Sequence, residues 1–275
     1  MDTFSQFNLD GKVAIITGAA GLLGPEHASA LAEAGANLIL SDLKEKELKA
    51  VSAKLSQAYP VEVMGVSADV TCYASIEKMK EIVCSRFGRI DILINNAANN
   101  PSFDAASEAH FSRFENFPDA MWQKDIDVGL TGAFNCCKAF GCYMAENGGG
   151  VILNIASDLS IIAPDQRIYQ DPKKSCDDQL VKPVTYSVVK HGIVGLTKYL
   201  ATYWCQKNVR VNCISPGGVF NNQDSQFVSR LTNLIPMGRM AGRTEYKAAI
   251  LFMTSSASSY MTGSNIVIDG GRTVW

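Results

Sequence analysis

Between residues 13 and 268, short apolar runs alternate with longer stretches in which apolar residues recur every three or four positions. The short runs carry the strand signature and the long ones the helix signature. Val13 to Thr17 predicts a strand that ends in Gly18, and a helix should follow from about Gly24 to Ala34, stopped by Gly35. Leu38 to Leu40 predicts a second strand closed by Ser41-Asp42. Lys44 to Ala58 then reads as a charged helix closed by Pro60, and Val61 to Val66 as a third strand. Ser75 to Phe87 reads as a helix stopped by Gly88, and Ile92 to Ile94 as a fourth strand running into Asn95-Asn96. A helix across Ala120 to Glu146 ends at Gly148-Gly149-Gly150, and Val151 to Ile155 is the fifth strand. Thr185 to Gln206 predicts a long helix and Val209 to Ile214 a sixth strand. A helix near Thr244 to Met253 precedes the last strand, Asn265 to Ile268.

Strands that alternate with helices, and are apolar throughout, predict a parallel sheet buried on both faces. Two βαβαβ halves make an α/β doubly wound sheet, a Rossmann fold, whose ligands sit at the carboxyl ends of the strands. No repeat and no low-complexity linker divides the 275 residues, so residues 1–275 read as a single domain. Two long loops, near 99–117 and 165–182, fall at the carboxyl edge of the predicted sheet.

Composition narrows the function. With 47% hydrophobic residues the chain can bury a large core. Charged residues at 19% and a net charge of −2 give no basic patch for nucleic acid. No apolar run reaches the roughly 18 residues that suggest a membrane span. Met1 to Gly11 is polar and lacks an apolar signal core, so a cytoplasmic protein is expected. The eight cysteines lie mostly in apolar segments (Cys136, Cys137, Cys142, Cys213) and none form C-x-x-C, which fits buried free thiols in a reducing compartment. His27, His110 and His191 are too scattered for a metal site, and none is expected.

The candidate chemistry starts at Thr17-Gly18-Ala19-Ala20-Gly21-Leu22-Leu23-Gly24, a glycine loop between a strand and a helix. Glycine lets the backbone turn sharply and approach a pyrophosphate, and the helix that follows points its free N–H groups at the phosphates. Pro25 suits the first helical turn, where its missing N–H costs nothing. Asp42, at the end of the second strand, can accept both hydrogen bonds of an adenosine ribose and would repel a 2′-phosphate, which favours NAD over NADP. Tyr186 and Lys190 are four apart and share a helix face. A neighbouring ammonium should lower a tyrosine's pKa toward a usable base. Ser157, at the end of the fifth strand, can hydrogen-bond the substrate oxygen.

In combination these motifs resemble the short-chain dehydrogenase/reductase family in its classical form. The likeness runs in order through the glycine loop, Asp42, Asp69-Val70, Asn95-Asn96-Ala97-Ala98, Asn154-Ile155-Ala156-Ser157, Tyr186 to Lys190, Pro216-Gly217-Gly218 and Asp269-Gly270-Gly271. It implies an oxidoreductase with Ser157, Tyr186 and Lys190 as the catalytic set. It also implies a cofactor site of Gly18, Gly21, Leu23, Gly24, Asp42, Asp69, Val70, Asn96 and Ala97, completed by Tyr186, Lys190, Pro216, Gly217 and Val219. Asp69 and Val70 would contact adenine, Lys190 the nicotinamide ribose, and Pro216 to Val219 the nicotinamide ring, while Asn95 supports the sheet. Such enzymes are usually homotetramers built in part by pairing long helices, so a homo-oligomer, tetramer or dimer, is expected.

The chain departs from the family in three places. The loop spacing T-G-x-x-G-x-x-G looks like that of the extended relatives, the sugar-nucleotide epimerases and dehydratases, which are longer. Gly129 stands where the family places an asparagine that holds a relay water. Ser157 precedes Tyr186 by twenty-nine residues instead of about thirteen, and the extra stretch is Asp165 to Lys182. That polar stretch, expected over the pocket, favours a polar, sugar-like or anionic substrate. Ser160 is a second serine in a worse register. The insertion, the T-G-A-A-G-L-L-G-P-E loop and the run from Val209 to Gly218 look most like bacterial flagellin-modification and surface-sugar enzymes. Three readings follow: an NAD-dependent dehydrogenase with a small-molecule substrate, an epimerase or dehydratase that retains NAD, and a non-catalytic nucleotide sensor on the same fold.

Overall fold

The computed structural model describes residues 2–99 and 111–275. Its centre is a seven-stranded sheet, with β1 (Val13–Thr17), β2 (Asn37–Ser41), β3 (Val63–Val66), β4 (Ile92–Asn95), β5 (Gly150–Ile155), β6 (Val209–Pro216) and β7 (Asn265–Ile268) in the order β3-β2-β1-β4-β5-β6-β7. Every pairing is parallel. Strand order reverses between β1 and β4, which opens a crevice at the carboxyl ends there.

Side chains alternate across a strand, and here both faces are apolar. Val13 and Ile15 of β1 enter the core on one face, with Ile39, Leu93 and Ile152. Ala14 and Ile16 enter the core on the other, with Leu38, Leu40, Ile92, Ile94 and Leu153. Helices α1 (Gly24–Glu33), α2 (Glu45–Ala58) and α7 (Lys247–Thr254) supply the second core; α3 (Tyr73–Phe87) and α4 (residues 119–146) supply the first. Helix α5 (Val184–Tyr203) lies against β5 and β6. The predicted elements are all present, with ends shifted. Helix α5 stops at Tyr203, short of Gln206, and residues 243–246 form a separate 3₁₀ turn before α7. Helix α6 (Ser225–Thr232) was not predicted, although Asp224 caps it by accepting the N–H groups of Gln226 and Phe227.

A line of buried side-chain hydrogen bonds crosses the sheet. Asn95 Nδ2 donates to Asn154 Oδ1 at 2.8 Å and to Cys137 Sγ at 3.2 Å. Asn154 Nδ2 donates to Thr197 Oγ1 of α5 at 2.9 Å. The seven described cysteines are free; Cys136, Cys137 and Cys213 are buried, whereas Cys142, expected inside, is exposed because it faces outward at the start of the last turns of α4. Burial pushes the Cys137 thiol up to about 12, so it stays protonated.

Helix α4 contains two π turns, Asp127–Thr131 and Cys137–Gly141. Gly129 lies in the first. A Cβ there would stand 2.5 Å from Val189 Cγ1 of α5, so the two helices pack through the glycine and leave no room for a side chain. Gly129→Asn should therefore destabilise the fold by about 1–3 kcal/mol through overpacking, read as a lowered midpoint in urea or thermal unfolding. Adding Val189→Ala should recover part of the loss. A single variant as stable as the parent would refute this packing.

Candidate active site

The loop after β1 is fastened to the end of β4. Thr17 Oγ1 accepts the N–H groups of Asn96 and Ala97, both at 3.2 Å, and Asn96 Nδ2 donates to the carbonyls of Thr17 (3.1 Å) and Gly18 (2.9 Å). Gly18 has φ +62°, and a Cβ on it would lie 2.8 Å from Ala97 Cα, so only glycine lets these two backbones meet. Pro25 occupies the first turn of α1 as expected. Asp42 sits beside this loop at the end of β2. Its Oδ2 accepts the N–H of Ala20 at 3.0 Å and its Oδ1 that of Lys44 at 3.1 Å, which fixes the carboxylate while leaving acceptor positions on each oxygen.

These residues border a cleft of ≈ 840 Å³ at the carboxyl ends of the strands. Gly18, Gly21, Leu23, Asp42, Asp69, Val70, Asn96, Ala97, Pro216, Gly217 and Val219 all line it, as do Ser157, Tyr186 and Lys190. Gly24 does not. It stands behind the loop, where a Cβ would lie 2.5 Å from the Gly18 carbonyl oxygen, so its part is close packing of helix against loop. The Asp69 carboxylate is turned to its own backbone, accepting from the N–H (2.9 Å) and hydroxyl (2.8 Å) of Thr71.

Helix α5 aims Tyr186 and Lys190 into the same cleft. Lys190 Nζ donates to the Ile155 carbonyl at 2.8 Å and lies 5.9 Å from the centre of the Tyr186 ring. Burial, followed by the charge of Lys182, lowers this ammonium to about 8. Ser157 Oγ accepts from the Leu159 N–H at 3.2 Å and donates to Asp158 Oδ1 at 2.8 Å. Ser160 is occupied elsewhere, sharing a hydrogen bond with Ser215 Oγ at 3.0 Å. The Tyr186 phenol corrects the expectation. Burial pushes its pKa above the ordinary value and Asp158 adds to the rise, against the hydrogen bond of Ser157 and the charge of Arg272. Desolvation of the phenolate outweighs the cationic surroundings.

Several residues at this site escaped the sequence reading. The segment 165–182 folds over the cleft through 3₁₀ turns Gln166–Tyr169 and Cys176–Asp178. Its ends are clipped together by Gln166 Oε1, which accepts the Lys182 N–H at 2.8 Å. It brings in Tyr169 and Lys182, whose Nζ lies 3.9 Å from the centre of the Tyr186 ring. Burial lowers the Lys182 ammonium to about 8 and raises the Tyr169 phenol to about 12. Tyr169 packs on Phe227 of α6 with ring centres 5.5 Å apart. Arg272 arrives from near the end of the chain and pairs with Asp158. In the other long loop, Asn99 Nδ2 donates to Asp125 at 2.6 Å and Arg113 pairs with Glu115. Asn100, and the rest of that loop up to residue 110, lie outside the described residues.

Comparison with known proteins agrees with this architecture. A family model described as enoyl-(acyl carrier protein) reductase matches residues 18–273. The D-threitol dehydrogenase of Mycolicibacterium smegmatis is 36% identical, over 98% of this chain and 95% of its own. The NAD-dependent glycerol dehydrogenase of Listeria innocua is 33% identical, over 98% and 96%. An NADP-dependent mannitol dehydrogenase of Alternaria alternata is 36% identical, over 98% and 94%. Among solved structures, that of gox2181 superposes with a TM-score of 0.88 at 29% identity, covering 100% of both chains.

The glycine cradle makes a direct test possible. Gly18→Ala should weaken binding of a reduced nicotinamide dinucleotide by about tenfold or more, since a side chain at positive φ costs roughly 1–2 kcal/mol before any clash. Fluorescence titration checks it, and an unchanged Kd would remove Gly18 from the binding site.

Proposed function

The chain belongs to the short-chain dehydrogenase/reductase family, and we propose that it is an NAD-dependent oxidoreductase acting on a secondary hydroxyl, or the matching carbonyl, of a polar polyol-like substrate. One observation carries this reading: Ser157, Tyr186 and Lys190 converge on the same cleft as the glycine cradle and Asp42. The polyol class is supported by the names of the relatives and by the polar groups that segment 165–182 adds to the cleft.

The cradle of Gly18, Gly21 and Leu23 would hold the pyrophosphate. Asp42 would hold the adenosine ribose, Asp69 and Val70 the adenine, and Asn96, Ala97, Pro216, Gly217 and Val219 the nicotinamide half. The backbone contact between Gly18 and Ala97, which any Cβ would fill, fits such a group. The bound cofactor supplies the hydride acceptor or donor. Tyr186 takes the proton of the substrate hydroxyl in oxidation and returns it in reduction. Lys190, anchored to the Ile155 carbonyl, places a positive charge where it favours the phenolate, and Ser157 meets the substrate oxygen. The Asp42 carboxylate repels a 2′-phosphate, which is why we favour NAD although several relatives, among them two mannitol dehydrogenases, are named NADP-dependent.

The same reading includes a homo-oligomer, supported by the exposed Trp122 and Phe134 of α4 and Tyr199 and Tyr203 of α5. It also includes a reducing, cytoplasmic setting, supported by the free thiols. A narrower kinship with flagellin-modification and surface-sugar enzymes rests on the T-G-A-A-G-L-L-G-P-E loop and the insertion before Tyr186.

The test follows NADH absorbance against polyols, sugars, sugar phosphates and simple secondary alcohols. Tyr186→Phe should lower kcat by about 10²–10⁴-fold while NADH still binds. Full activity in the Phe variant would overturn the role of Tyr186, and tight binding without net NADH formation from any substrate would favour a cofactor-retaining epimerase. Asp42→Ala should shift kcat/KM toward NADP by about tenfold, which is 1.4 kcal/mol; unchanged preference would free Asp42 of its role. The phenol must be ionised to accept a proton, and its pKa is raised in the unliganded site. Oxidation should therefore climb with pH through the alkaline range, while reduction, which needs the phenol, holds at neutral pH and fails at alkaline pH.

A further inference from the structure

Beyond Ser157, Tyr186 and Lys190, the cleft holds an ion pair that the family resemblance does not explain. Arg272 Nη1 donates to Asp158 Oδ2 at 2.6 Å, across 114 positions of sequence, and the two side chains are 7% and 5% exposed. Asp158 Oδ1 accepts the Ser157 hydroxyl at 2.8 Å and the Leu159 N–H at 2.9 Å. Arg272 is aimed by a turn in which the Asp269 carboxylate accepts the N–H groups of Gly271 and Thr273, both at 2.8 Å. Asp158 and Arg272 both line the cleft beside Tyr186.

Burying two charges costs several kcal/mol per ion, and a well-packed apolar pair would stabilise the fold as well or better. Stability is thus a weak reason for the pair to stand here. Its position against the reacting groups supplies a stronger one. We propose that Asp158 is a positioning residue for hydride transfer: held by Arg272, it fixes the proton of the Ser157 hydroxyl and, with Arg272, sets the electrostatic field at the Tyr186 oxygen. This rests on Tyr186 being the acid/base.

The chemistry gives the direction. Asp158 competes with Tyr186 for the proton of the Ser157 hydroxyl, so it weakens the hydrogen bond by which Ser157 favours the phenolate and adds its own opposing charge. Arg272 opposes Asp158 by the opposite charge. The other groups facing the phenol are Lys182 over the ring, Lys190 one turn along α5 and Tyr169 from the inserted segment. Lys190 is shifted by burial and Lys182, whereas Asp158 also holds up the Lys182 ammonium and both charges of the pair act on Tyr169, so the opposite signs expected of the two variants are the decisive readout. Asp158 thereby keeps the phenol in its proton-donating form, which poises the site for carbonyl reduction, and Arg272 limits how far that bias goes.

The full-length protein is compared with Asp158→Asn, Arg272→Met, Arg272→Lys and Tyr186→Phe. The pH profile of kcat/KM for oxidation of the best substrate is recorded, with NADH affinity as the control for an intact cofactor site. Asp158→Asn should move the limb on which oxidation rises toward lower pH by roughly half a unit to one unit. Arg272→Met should move it toward higher pH, and Arg272→Lys, which keeps the charge, should restore most of the wild-type position. kcat should fall by about tenfold in the first two variants, with KM changing less. Loss of activity with an unmoved limb, or shifts of the same sign for Asp158→Asn and Arg272→Met, would overturn the proposal and leave the pair a structural strut. If Asp158→Asn does not fold, the contrast of Arg272→Met with Arg272→Lys decides alone. A fully active Tyr186→Phe would instead overturn the assignment of Tyr186 itself.

Discussion

Asn95 and Asn154 face each other across the seam of β4 and β5, and Thr197 of α5 completes the line. Amides buried between strands are costly unless paired, by about 1–3 kcal/mol for each group left unsatisfied. A one-residue slip of either strand would turn these side chains to the opposite face of the sheet. The line therefore holds the register of β4 and β5 and locks α5 to both. Lys190 adds a second fastening two turns along the same helix, through the Ile155 carbonyl. The ends of β4 and β5 carry Asn96, Ala97 and Ser157, so one set of buried bonds fixes the cradle, the serine and the tyrosine relative to each other.

Much of this was legible in the sequence because the physics was local. Strands apolar on both faces could only be the interior of a parallel sheet, and Gly18 before a helix start announced a turn with close backbone approach. Tyr186 and Lys190 share a face by helical spacing alone. The remainder depended on where distant segments meet. Arg272 sits in a short turn with no periodic pattern, and nothing near it in sequence signals Asp158. Lys182 read as one polar residue of a long loop until the fold laid it over Tyr186. Helix α6 had a readable cap at Asp224, but at eight residues its apolar pattern was too short to weigh against a loop. Gly129 read as a missing catalytic group, and the packing of α4 on α5 explains it as a steric requirement.

The phenol is the point at which local and tertiary effects part. Helical spacing argues for a lowered pKa because it places Lys190 nearby. The folded chain adds burial and Asp158, which act the other way, and burial is the largest of these effects. Cations gathered by three separate segments, at Lys182, Lys190 and Arg272, surround a group that carries no charge in its resting form. The unliganded site therefore favours the neutral phenol, and the cations offset only part of the cost of burying the charge that develops when it gives up its proton.

Segment 165–182 and α6 are joined by more than proximity. Ile168 is buried with Leu231, Ile235 and Met240, Tyr169 packs at a tilt against Phe227, and Arg230 Nη1 donates to the Gln170 carbonyl. This makes a small core of its own at the rim of the cleft. Two flaps with independent hinges could admit a substrate by moving one at a time. Here separating the two walls would expose that shared core, so a shift of either one would have to carry the other with it. A substitution in that core, remote from the chemistry, would therefore reach the cleft through both walls at once.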